Sequence, residues 1–265
     1  MSTSIVVLSE GLSSSQEAVS YAAHLARTMA VPLREFRVNT RATQALESSN
    51  TLTIKAFYPG NRITTIIGNV DDSRAVMPQE LAAALVEQEP LLVVMQRLPS
   101  TAYPLGQLAK AVHSLLQTTR QPLLLVPENT EAQAPPLRIA LVTDGDPFTL
   151  VHGQRAMHAL LLTLPIKIAV LHAPIPKSYS SLADALQSVL ACGLATRYPS
   201  IAALEIQADN LVAGILAGVK QIRADLLVLI IRHRSLAETD FCAGTMAALF
   251  QQSPIPVLLL LATDT

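Results

Sequence analysis

Short runs of apolar residues, each about five long, punctuate the chain and alternate with longer stretches in which apolar residues recur every three or four positions. A continuous apolar run reads as a strand buried on both faces, and the 3.6-residue period as a helix packed on it. The alternation therefore predicts parallel strands joined by crossover helices. In the first half, strands are expected near residues 4–9, 33–38, 62–67, 91–95 and 122–126, with helices filling the gaps. The clearest helix runs from about Ser14 to Met29 and places Ala18, Ala22, Leu25 and Ala26 on one face, with Ser13 to Ser15 supplying capping hydroxyls. The second half predicts strands near 137–143, 166–172, 201–206, 225–231 and 256–261. The uncharged stretch from Phe241 to Thr263 has the length of a membrane span. Gln251-Gln252-Ser253-Pro254-Ile255-Pro256 breaks it centrally, which predicts a helix followed by a strand.

The two halves share this pattern at a fixed offset of 134 residues. Ile5-Val6-Val7-Leu8-Ser9-Glu10-Gly11 resembles Ile139-Ala140-Leu141-Val142-Thr143-Asp144-Gly145, Leu92-Val93-Val94-Met95 matches Leu226-Leu227-Val228-Leu229, and Pro122-Leu123-Leu124-Leu125 matches Pro256-Val257-Leu258-Leu259. Three matches in one register predict an internal repeat. The expected organisation is a domain over residues 1–128, a second over 137–265, and a Pro-rich polar linker over 129–136.

Composition narrows the function. Charged residues are 15% of the chain, against a usual share of about a quarter, and apolar residues are 50%. Nineteen Lys and Arg against twenty Asp and Glu leave a formal net charge of -1 with no run of one sign, which excludes a nucleic-acid stripe and a polybasic membrane anchor. The two cysteines, Cys192 and Cys242, make neither a disulfide framework nor a metal-ligand spacing. The chain reaches Glu10 without a basic residue, so the charged start of a secretory signal is missing and a cytoplasmic protein is expected.

The residues resemble the universal stress protein family. The likeness covers nearly the whole chain and rests on Val-Leu-Ser-Glu-Gly at strand 1, the helix ending Ala23-His24-Leu25-Ala26-Arg27, the run Ala224-Asp225-Leu226-Leu227-Val228-Leu229 followed by Arg232-His233-Arg234-Ser235, and the closing Pro-x-Pro-Val-Leu-Leu at Pro254 to Leu259. It implies two repeated five-stranded, Rossmann-like α/β domains with parallel strand order 3-2-1-4-5, packed through their apolar last strands as an intramolecular pseudo-dimer. A further homodimer or another protein partner is expected to cover remaining apolar surface.

In ATP-binding members, strand 4 leads into Gly-x2-Gly-x9-Gly-Ser/Thr, whose glycines let backbone N–H groups approach phosphates at a helix N-terminus. In the first half those slots fall on Gln96, Pro99, Ala109 and Lys110, and in the second on Ile230, His233, Ala243 and Gly244. A shift of one residue would put Gly244-Thr245 in the final slot. The acidic residue ending strand 1, which the resemblance assigns to the nucleoside, is matched by Glu10 and Asp144. At the strand ends of the second half, Asp144, His172, Arg232, His233 and Arg234 form a candidate ligand set, better suited to an anion than to a metal because no two share one element at ligand spacing. No nucleophile elbow is present. The expectation is a non-enzymatic stress-response or regulatory protein without a cofactor, acting through a partner or small ligand. The alternatives are ATP binding by the second domain through Asp144 and Gly244-Thr245, and a small-anion sensor built on the Arg232 loop.

Overall fold

The structure is a computed structural model that describes residues 4–10, 16–38, 51–58, 61–69, 79–97, 105–128, 130, 136–151, 161, 166–174, 180–194, 201–207, 210–232 and 240–264. The chain divides into two compact units, Met1–Pro135 and Pro136–Thr265.

Unit 1 holds strands β1 (Ile5–Glu10), β2 (Leu33–Val38), β3 (Thr51–Tyr58), β4 (Asn61–Asn69), β5 (Leu92–Gln96) and β6 (Leu123–Val126). Its helices are α1 (Gln16–Thr28), α2 (Gln79–Gln88) and α3 (Leu105–Thr119). Strands β2, β1, β5 and β6 lie side by side and parallel. Helix α1 buries Ala18, Tyr21, Ala22, Leu25 and Ala26, the spacing of a single helical face, against β1 and β5. The gap after β2 departs from the expected crossover helix. There β3 runs antiparallel to β2, and β4 antiparallel to β3. The expected strand at 62–67 therefore exists within β4, but β3 stands between it and β2. The cause is local: β-branched and aromatic residues dominate Thr51–Tyr58 and Asn61–Asn69, and the residues between them are Pro59 and Gly60, a turn pair.

Unit 2 holds β7 (Arg138–Thr143), β8 (Phe148–Leu150), β9 (Lys167–His172), β10 (Ala202–Glu205), β11 (Leu226–Arg232) and β12 (Val257–Asp264). Its described helices are α4 (Leu182–Ala191), α5 (Leu211–Ile222) and α6 (Asp240–Gln252). The parallel strands lie in the order β10-β9-β7-β11-β12, which is 3-2-1-4-5. The short strand β8 adds an unforeseen antiparallel pair to the end of β12, with Leu150 opposite Ala262 and Phe148 opposite Asp264. Helix α5 lies on β7 and β9, and Gly218 sets its approach: a Cβ there would meet Leu171 and Ile206 at 3.2 Å. Strands β11 and β12 are almost wholly buried from Leu226 and Val257 onward, as their unbroken apolar runs require.

The central strands of the units share one register. Ile5 pairs with Leu92 in unit 1, and Ile139 with Leu226 in unit 2. Val93 pairs with Leu123, and Leu227 with Val257. Each residue of the second pair lies 134 positions after its counterpart. Ahead of the fourth strand, the Leu91 N–H donates to Ser4 O and the Asp225 N–H to Arg138 O, at the same offset. The second strands break the rule by one residue, since Ile5 faces Leu33 while Ile139 faces Ile168.

Candidate functional site

In an open parallel sheet, the strand carboxyl ends nearest the reversal of strand order form the natural ligand edge. In unit 2 that edge lies between β7 and β11. Strand β7 stops at Thr143 and the chain turns through Asp144-Gly145-Asp146-Pro147 into β8. The Asp146 N–H donates to Asp144 Oδ1 at 3.2 Å, closing the turn with a side-chain bond. Gly145 is obligatory here, because it sits at φ +90° and a Cβ would lie 2.7 Å from Ser180 Cβ and Oγ.

His172 ends β9 fully buried beneath this turn. Its Nε2 lies 3.3 Å from Asp144 O and 3.4 Å from Ser180 Oγ, and the Ser180 hydroxyl itself donates to Asp144 O. A carbonyl oxygen only accepts, so these partners assign a proton to Nε2, while Nδ1 has no hydrogen-bond partner. Ser180 precedes α4, where Ser181 and Asp184 form a reciprocal capping box. The Ser181 hydroxyl and backbone N–H hold the exposed Asp184 carboxyl below its ordinary pKa, with a smaller contribution from His172.

Arg232 closes β11 and is only 5% exposed. Its Nη2 donates to Asp144 Oδ1 at 2.6 Å and to Asp146 O, and its Nη1 to Pro147 O at 2.9 Å and Asp264 Oδ1 at 3.0 Å. The guanidinium also lies 5.8 Å from the centre of the Phe148 ring. One planar fork thus ties together the ends of β7, β11 and β12 and the start of β8. Arg232, expected as an anion ligand, directs its Nη donors at internal carboxylates and carbonyls. Asp264 and Phe148 were not anticipated, since no sequence spacing links positions 144, 148, 232 and 264. An Asp closing the apolar run of β12 was the one available signal.

The other candidates are dispersed. Thr245 and Gly244 lie inside α6, which starts at Asp240, so their N–H groups bond back to carbonyls four residues earlier and are not offered to a phosphate. No side chain is needed or excluded at Gly244, where an added Cβ would meet open space. In unit 1, Glu10 ends β1, and Ala109 and Lys110 lie within α3. Gln96 ends β5 buried, with Oε1 accepting the Ala18 N–H of α1 at 2.8 Å and Nε2 without a hydrogen-bond partner. Pro99, His233 and Arg234 lie outside the described residues, as do Ser13 to Ser15. Among the described residues no cluster of His, Cys, Asp and Glu could hold a metal ion, and no helix is long and apolar enough to cross a membrane.

No family model matches the chain and no curated protein matches it. Among solved structures it is similar to a universal stress protein from Archaeoglobus fulgidus, with 11% sequence identity, 96% of this chain and 95% of that chain covered, and a TM-score of 0.52. The chain has the universal stress protein fold. It is also similar to a Pseudomonas aeruginosa protein provisionally assigned to the universal stress proteins, at 14% identity, 98% and 94% coverage and a TM-score of 0.49. Within this universal stress protein fold, a cavity of about 120 Å³ opens in unit 2 between α5, α6 and the ends of β7 and β11. Asp144 and Arg232 stand at its polar end, and the remaining lining is mostly aliphatic.

Proposed function

We propose that the protein is a tandem member of the universal stress protein family that has given up the ATP phosphate contacts. It works as a stress-response or regulatory protein of the cytoplasm, through a small ligand or a protein partner, and not as an enzyme. The observation that carries this reading is the buried Arg232 fork. It binds Asp144, the residue that the family resemblance assigns to the nucleoside, at the edge where such a fold takes ligands. Two further observations support it. Gly244-Thr245 sits in the second turn of α6, and the Gln96 amide occupies an amide of the first turn of α1. The strand register repeated at an offset of 134 supports a duplicated unit.

Calorimetric titration of the full chain with magnesium-ATP tests the proposal. No binding heat is expected. Micromolar binding that is lost in Asp144→Ala would overturn it in favour of ATP binding by unit 2.

A further inference from the structure

We infer that the cavity in unit 2 is a binding site for a small, uncharged, largely apolar molecule that carries one hydrogen-bond donor, such as a phenol or a short branched alcohol. The inference rests on the reading that this unit takes a ligand other than ATP, and it names the class. Ile215, Leu229, Met246 and Leu249 contribute aliphatic wall, so most of the interior offers nothing to a polar ligand. A space of about 120 Å³ holds a single ring or a short branched chain.

The polar end decides the rest. Asp144, Asp264 and Arg232 together carry one formal negative charge, so the guanidinium is already matched and an incoming acid would meet an excess of carboxylate. Asp144 Oδ1 takes both the Arg232 and the Asp146 donors. No hydrogen bond to Asp144 Oδ2 is made by any described residue, and the Asp144 side chain is 12% exposed at the cavity end. A carboxylate oxygen in that setting is an acceptor in need of a donor. A hydroxyl supplies one while its hydrocarbon body fills the aliphatic space. Anions fail on charge, and pure hydrocarbons leave Oδ2 unmatched.

Ligand-observed NMR on the full chain at low salt, with phenol, toluene and benzoate as probes, tests this. Phenol is expected to bind, toluene to bind more weakly, and benzoate to bind on the order of tenfold or more weakly than phenol. Ala173→Leu places extra bulk in the cavity lining, and there the phenol signal is expected to vanish. Benzoate binding as tightly as phenol, no binding by any probe, or phenol binding undiminished in a folded Ala173→Leu would each overturn the inference. If that variant fails to fold, the ranking of the three probes on the unaltered protein still decides. A parallel magnesium-ATP titration separates the two claims. ATP binding that leaves the phenol signal intact overturns the proposed function alone, whereas silence from all the probes and from ATP overturns only this inference.

Discussion

The two units share a framework and differ at its working edge. Strands β1, β5 and β6 pair in the same register as β7, β11 and β12, yet the residues that finish the fourth strand do opposite things. In unit 1 the uncharged Gln96 turns inward and gives its carbonyl to the first turn of α1. In unit 2 the corresponding position is Ile230, and two residues later Arg232 gathers carboxylates and carbonyls from the 144–147 turn and the end of β12. A one-residue slip would turn every buried side chain of a strand to the other face, so register is held by the core. The strand ends answer to no such constraint and are free to acquire separate chemistry.

The largest expected effect comes from removing the charged clasp. Arg232→Met leaves Asp144 nearly buried without its cation and should cost about 3–5 kcal/mol in urea unfolding of the full chain. Replacing both partners, Arg232→Met with Asp144→Leu, should recover much of that, because an apolar pair of similar volume avoids the desolvation of two charges. A single-variant loss below about 1 kcal/mol would mean that the fork behaves as a solvated surface pair.

The matching change in unit 1 should be milder. Gln96→Leu strips the buried Ala18 N–H of its acceptor, a loss of about 1–3 kcal/mol, but it also removes an amide nitrogen that has no partner. A net cost near 1 kcal/mol is expected, at the low end of that range. If Gln96→Leu proves as damaging as Arg232→Met, the contrast between the two edges is wrong.

How far the sequence foretold these features depends on how local their causes are. The apolar runs at Val6, Val93, Leu124, Leu141, Val228 and Leu258 were legible as buried strands because burial on both faces leaves no polar alternation. The β3–β4 hairpin was readable in principle. Thr51-Leu52-Thr53-Ile54 and the β-branched run Ile63 to Ile67 flank Pro59-Gly60, but an expected α/β rhythm overrode that local signal. The Arg232 clasp was not legible at all. Arg-His-Arg after a strand looks like a solvated loop until the fold brings Asp144, 88 residues away, and Asp264, 32 residues away, against one guanidinium. The same holds for Asp225, whose carboxylate accepts the N–H groups of Leu137 and Arg138 at the start of β7.

A smaller test asks whether the shared framework extends to the helix ends before the fourth strands. Glu89 and Arg223 stand 134 residues apart, and both hold positive φ, at 41° and 53°. Arg223 is the left-handed cap of α5, its N–H reaching back to Lys220 O. Glycine takes this conformation without a Cβ penalty, so Glu89→Gly and Arg223→Gly should each stabilise the chain by up to about 1 kcal/mol. Equal gains fit a duplicated cap. A gain at one site and a loss at the other would restrict the equivalence to the strands.

The smallest effect concerns a device described only in unit 2. The Ser181 hydroxyl and N–H bond Asp184 and lower its pKa, so in the folded chain the carboxylate form is favoured more than in the unfolded one. A depressed folded value gives stabilisation that is complete above the unfolded carboxylate range and is lost as pH falls through the folded value. Asp184→Asn keeps an acceptor for Ser181 but cannot titrate. The unaltered chain should therefore melt slightly higher than the variant near neutral pH, and the gap should close in acid. Because Asp184 is fully exposed, added salt should also narrow the gap at neutral pH. A gap that persists unchanged below the lowered carboxylate value would show that the asparagine disturbs the cap through geometry, and that charge contributes nothing to this turn.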